Sequence, residues 1–125
     1  MRSAQISLAP LPIAPRLGRR SVRDILGWAP VEATDRAELL VSELVTNSVV
    51  HAGLRAEEDV DLRIACWRRR VRVEVIDPGP PFEADVSLVK GRFGHWGFYL
   101  VGCLADRWGV DQRDRGKAVW FEIDL

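Results

Sequence analysis

Between Asp35 and Ala52 the sequence carries one long helical pattern, and polar residues stand along it at a spacing that a plain core helix does not need. Glu43, Asn47 and His51 follow one another at intervals of four, and Leu40, Leu44 and Val50 project between or beside them. At about 100° per residue each such step drifts only about 40°, so the three polar side chains run along one side of the helix. Read alone, this line is either a solvated face with i,i+4 hydrogen bonds or the polar wall of a site. A carboxylate and an amide at the edge of buried surface need partners, because an unpaired buried polar group costs about 1–3 kcal/mol. Asp35 followed by Glu38 has the form of a capping box and predicts a helix from about 35 to 52, stopped by Gly53.

The segments on either side limit how this helix is housed. Residues 4–9 suit a short strand, and Pro10, Pro12 and Pro15 stiffen the lead-in to an amphipathic segment at 16–28 that Gly27 and Pro30 end. Val60, Leu62, Ile64 and Cys66 alternate with polar residues, as do Val71, Val73 and Val75, which predicts a β-hairpin turning at Arg68 to Arg70. The second strand runs into Asp77-Pro78-Gly79-Pro80-Pro81, a cluster that no sheet continues through, and a loop is expected as far as Gly94. A helix from Trp96 to Ala105 follows, then closing strands at Trp108–Val110 and Ala118–Ile123 around a turn at Arg113 to Gly116. Helices segregated onto one face of a mostly antiparallel sheet make an α+β, two-layer sandwich. Its 125 residues suit one domain over 1–125, with 1–15 as strand and Pro-rich lead-in.

Composition excludes several functions. Eighteen basic residues offset eighteen acidic ones, so no overall field draws the chain to nucleic acid or to a membrane surface, and partners must be read by local patches. Arg68, Arg69, Arg70 and Arg72 have no aromatic platform beside them and read as a solvated turn. Cys66 and Cys103 lack zinc-ligand spacing and sit in apolar runs, which predicts buried thiols and a reducing cytoplasm. The early prolines interrupt any signal helix, and no apolar stretch approaches the roughly 20 residues of a membrane span. The five tryptophans are expected in core and interface.

The line Glu43-Asn47-His51, the Asp77-Pro-Gly79 turn and a helix opened by Gly94-His95-Trp96-Gly97 together describe a phosphate and nucleotide cradle, since glycine at a helix N-terminus lets N–H groups approach an anion. His95 either touches phosphate or caps that helix. These segments resemble the superfamily that groups gyrase, the large heat-shock chaperone, sensor histidine kinases and mismatch-repair ATPases, and within it the bacterial anti-sigma regulatory kinases. Glu43-Leu-Val-Thr-Asn47-Ser-Val-Val-His51-Ala52 is similar to its N box, Asp77-Pro-Gly79 to its first glycine box and Gly94 to Val101 to its second. Ala105 to Val110 and Gly116 to Glu122 resemble the closing segments, and the likeness runs from about Leu17 to Leu125.

The resemblance implies that the chain binds ATP and Mg2+ and acts as a serine/threonine-protein kinase. Glu43 would be the catalytic base, Asn47 the metal ligand, and Asp77 the acceptor for the adenine amino group. His51, Gly79, Lys90, Arg92, Gly94, Gly97 and Phe98 would complete the ATP site, with Lys90 and Arg92 on a loop that closes over phosphate. Asp77→Ala is accordingly expected to weaken ATP more than the fold. The implied partners are a sigma factor or an anti-sigma-factor antagonist protein, with a second copy of the chain as a further one. The sequence departs from the family pattern at Pro81, His95 and Ala118, the last in place of a threonine near adenine. Intact Glu43 favours the kinase, and the departures favour a catalytically silent nucleotide- or protein-binding module. A sensor histidine kinase fits poorly, since fewer than 20 residues precede the first helix.

Overall fold

The computed structural model describes residues 1–79 and 96–125, with side chains from residue 99 in the second stretch. Five strands, β1 (Arg2–Leu8), β2 (Val60–Trp67), β3 (Arg70–Asp77), β4 (Arg107–Gln112) and β5 (Lys117–Asp124), form one sheet in the order β1-β2-β3-β5-β4. All four pairings are antiparallel. The helices are α1 (Ala14–Leu26), α2 (Val31–His51) and α3 (Trp96–Leu104). The expected element order holds, and the fold is the α+β two-layer sandwich.

Period-two alternation decides which face is covered. Leu62, Ile64, Val71, Val73, Val75, Val119, Phe121 and Ile123 point to the helices and join Val22, Leu26, Leu40, Val41, Leu44, Val45 and Val101 in one buried cluster. Each such side chain stabilises the fold by roughly 1.5–3 kcal/mol through burial. The strongest helix contact is α1 on α2, tied at its edge by Arg19 Nη1 donating to Ser42 Oγ at 2.6 Å and by the Arg23–Glu38 ion pair at 2.7 Å.

Several boundaries differ from the sequence reading. Asp35 and Glu38 do not open α2, which begins a turn earlier at Val31: Pro30 has extended backbone, and Thr34 N–H already bonds the Pro30 carbonyl at 3.1 Å. The buried stripe reaches back through Ala37 and Ala33, whose small side chains give a weak periodic signal. Likewise α1 starts at Ala14, with Pro15 in its first turn, where a missing N–H costs nothing. Arg70 and Arg72 belong to β3, and only Arg68 and Arg69 make the turn. Cys66 is buried as expected, and burial pushes its thiol up, but Cys103 is exposed. Trp28 and Trp67 are exposed, and Trp108 and Trp120 are half-buried, so none of these four lies in the core proper.

The uncovered face of the sheet carries an ionic ladder. Arg107 donates to Glu122 through Nε at 2.7 Å and also bonds Asp124, while Arg72 reaches Glu122 at 3.3 Å and lies 4.1 Å over the Trp120 ring. Burial pushes the Glu122 carboxyl up, and the hydrogen bonds from Arg107 and Arg72 more than offset it, leaving Glu122 below the ordinary carboxylate range. The Arg107 bond likewise lowers Asp124. No helix among the described residues is long and apolar enough to cross a membrane.

Candidate functional site

The C-terminal half of α2 presents two unlike sides. Leu40, Val41, Leu44, Val45 and Ser48 are buried against the sheet, while Glu43 and Asn47 stand half-buried beside them and His51 is exposed at the helix end. The Asn47 Nδ2 group is fully buried and bonds to no described residue. Glu43 likewise makes no hydrogen bond or ion pair with any described residue. An amide left so costs about 1–3 kcal/mol, which an incoming acceptor would return.

One residue along, the chemistry is the opposite. Ser48 lies in the apolar stripe and donates its hydroxyl to Asp77 Oδ2 at 2.6 Å. The other oxygen of Asp77 accepts from Gly79 N–H at 2.9 Å and from Lys117 Nζ at 2.8 Å. Asp77 and Lys117 are direct partners across β3 and β5, and each side chain is only 4% exposed. Asp77 therefore closes β3 as the centre of a buried polar cluster.

Glycines make that closure possible. A Cβ on Gly79 would stand 2.8 Å from the Ala52 Cβ and 2.9 Å from both the Ala52 carbonyl and Asp77 Oδ1, so the missing side chain lets the turn lie against the end of α2. Gly116 has φ +86°, and a Cβ there would fall 1.8 Å from the Asp77 carbonyl oxygen, so β5 can enter beside Asp77 only through glycine.

Sequence reasoning singled out Asp77 and Gly79 but missed Ser48 and Lys117. The signals were present: Ser48 continues the 41-44-45 stripe, and Lys117 shares the inward face of 119, 121 and 123. The residue expected to face the base instead of threonine was Ala118, yet Ala118 pairs with Ile76, and it is Lys117 that stands opposite Asp77. Pleat alternation puts neighbours on opposite faces of a strand, so the two positions cannot be exchanged.

Gly97 and Phe98 belong to α3, which packs on α2 through its C-terminal part, where Val101 is buried. Lys90, Arg92, Gly94, Pro81 and His95, with the expected loop from 80 to 94, lie outside the described residues. Among the described residues no group of three or more His, Cys, Asp and Glu could hold a metal ion. Any magnesium here would therefore take most of its oxygens from ligand phosphates and water. The unpaired Asn47 amide fits that role, since turning its terminal group offers either an N–H to phosphate or an oxygen to a hard cation.

An antiparallel five-stranded sheet with helices on one face is the architecture of a kinase-type, ATP-binding fold, and its central helix carries Glu43 and Asn47 Nδ2 without a partner among the described residues. Residues 12–123 match the family described as the histidine kinase-like ATPase domain, and the chain belongs to that family. Its fold is similar to the crystal structure of the RsbU and RsbW domains of Rv1364c from Mycobacterium tuberculosis, with a TM-score of 0.77, 20% identity, and 98% of this chain aligned to 32% of that one. It is also similar to the histidine kinase domain of the Erythrobacter litoralis EL346 blue-light activated histidine kinase, at 29% identity and TM-score 0.61, covering 86% of this chain and 57% of that one. A second structure of that kinase gives 29% identity, TM-score 0.65, and coverage of 93% and 42%. The chain thus spans about a third to somewhat over half the length of these structures. No curated protein matches it.

Proposed function

We propose that the chain is an anti-sigma regulatory serine/threonine-protein kinase of the cytoplasm, which binds Mg-ATP beside α2 and phosphorylates a small antagonist protein. What carries this reading is the contrast within α2: among the described residues Glu43 makes no hydrogen bond or ion pair and Asn47 Nδ2 has no partner, while the adjoining Ser48 is bonded to Asp77. In the reaction Glu43 takes the proton of a partner serine hydroxyl as its oxygen bonds the γ-phosphorus. The bond to the bridging oxygen breaks, and ADP leaves with the electron pair. Asn47 would hold a magnesium ion, which would neutralise charge on the phosphates. Asp77 receives the adenine amino group, with His51, Gly79, Gly97 and Phe98 around the nucleotide and Lys90, Arg92 and Gly94 toward its phosphates. A sigma factor is held by surface contact, and a homodimer is compatible with the same reading.

A second reading, a silent nucleotide- or protein-binding module, is favoured by one observation: three of the acceptor positions on Asp77 are occupied from within the chain. Phosphate transfer from labelled ATP to a captured antagonist, measured beside nucleotide affinity, separates the two. Glu43→Gln should lower transfer about 10²–10⁴-fold and leave ATP affinity intact, while Asn47→Ala should lose both. Tight partner binding with no transfer by the unaltered protein would establish the module.

A further inference from the structure

The ammonium group of Lys117 stands beside the carboxylate that meets the base in the proposed ATP site. Nζ is 2.8 Å from Asp77 Oδ1, both side chains are 4% exposed, and the pairing of β3 with β5 sets them directly opposite. The register is held by Gly116, whose close approach to the Asp77 and Pro78 backbone admits no other residue. Lys117 is therefore a fixed member of this corner of the fold.

The pair has a definite hydrogen-bond sense. A carboxylate accepts only, and an ammonium donates only. A lone acceptor distinguishes the purines, because adenine presents an amino donor at position 6 and guanine an oxygen. A donor beside the acceptor removes that distinction. Adenine then gives its amino N–H to Asp77 and takes a hydrogen bond on N1 from Lys117. Guanine takes a hydrogen bond on O6 from Lys117 and gives its N1–H to the carboxylate. Of the four acceptor positions on Asp77, Gly79 and Lys117 use two on Oδ1 and Ser48 uses one on Oδ2. The remaining position lies on Oδ2, enough for one N–H of either base.

We infer that Lys117 is the base-selecting residue of this site and that it makes the site accept 6-oxopurine nucleotides, guanine above all, alongside adenine ones. This rests on the ATP-site reading of Asp77. The test is calorimetric titration of the whole chain with the magnesium complexes of ATP, GTP, ITP and a purine triphosphate bare at position 6. The unaltered protein should bind GTP within about tenfold of ATP, and ITP more tightly than the bare purine. Lys117→Thr and Lys117→Met should each weaken GTP roughly ten- to a hundredfold relative to ATP, the worth of a hydrogen bond to a charged group. ATP binding with GTP more than a hundredfold weaker overturns the inference and leaves the ATP reading standing. So does a GTP-to-ATP ratio that neither substitution changes. If both variants fail to fold, ITP binding no tighter than the bare purine overturns it on the unaltered protein alone. Binding of none of the four overturns the ATP reading and the inference together.

Discussion

Strands β3 and β5 carry ion pairs at both ends, and the two ends follow different rules. At one end Asp77 and Lys117 face the helices, 4% exposed, with Ser48 and Gly79 also donating to the carboxylate. Toward the other, Glu122 and Asp124 face away from the helices among Arg70, Arg72 and Arg107, whose side chains are 49%, 27% and 40% exposed. A charge that loses its partner in the first region has no water to turn to. In the second, a neighbouring arginine or solvent takes over. Connectivity thus replaces burial as the source of robustness on the open face.

The largest effect should come from breaking the buried pair on one side. Asp77→Ala takes the carboxylate from beside a buried Lys117 ammonium and frees the Ser48 hydroxyl, and should cost about 3–5 kcal/mol in denaturant unfolding. The sequence alone suggests that this substitution weakens ATP more than the fold, whereas three internal hydrogen bonds make it a fold substitution as well. Replacing both partners, Asp77→Leu with Lys117→Met, should recover most of the lost stability, because apolar side chains of similar volume remove both desolvation costs. A double variant as unstable as the single one would mean that the pair is not what the corner needs.

Ser48→Ala sharpens the same comparison at lower cost. It removes one of three bonds to Asp77 and leaves no charge stranded, so a loss of about 1–3 kcal/mol is expected. Loss as large as that of Asp77→Ala would show that the hydroxyl, and not the ion pair, organises the cluster.

On the open face the response should be small and should depend on pH. Glu122 and Asp124 both titrate below their ordinary range in the folded chain. Their contribution is therefore complete above the unfolded-state values, about 4.3 and 3.9, and is lost as pH falls through the lower folded-state values. Glu122→Gln should flatten the acid limb of a midpoint-versus-pH curve between about pH 2 and 5 and shift it by a constant amount above that. The smallest change belongs to Arg70→Ala, whose contacts to Glu122 and Asp124 are 3.8 and 3.7 Å long. Its effect should be within about 0.5 kcal/mol and fade with added salt.

Elements and their order were legible in the sequence because they follow from periodicity and from Gly and Pro, which act over a few residues. The polar line on α2 was legible for the same reason: Glu43, Asn47 and His51 are related by helix geometry alone. Boundaries failed where the signal was weak, as with Ala33 and Ala37 at the start of α2. Cys103 and Trp67 sit in or beside apolar runs, but burial depends on which face a neighbouring element covers, and no local pattern states that.

The sequence by itself determined a histidine kinase-like chain with Glu43 and Asn47 on one helix side and Asp77 at a strand end. Only the tertiary structure decided what Asp77 meets. Ser48 lies 29 residues before it and Lys117 40 after it, and their meeting depends on the β3–β5 register and on how α2 crosses the sheet. A one-residue slip of that register would have brought Ala118 to the inner face in place of Lys117. Local pattern determines which face a side chain takes within its own strand, but opposition across strands comes from the long-range pairing that glycines such as Gly116 permit.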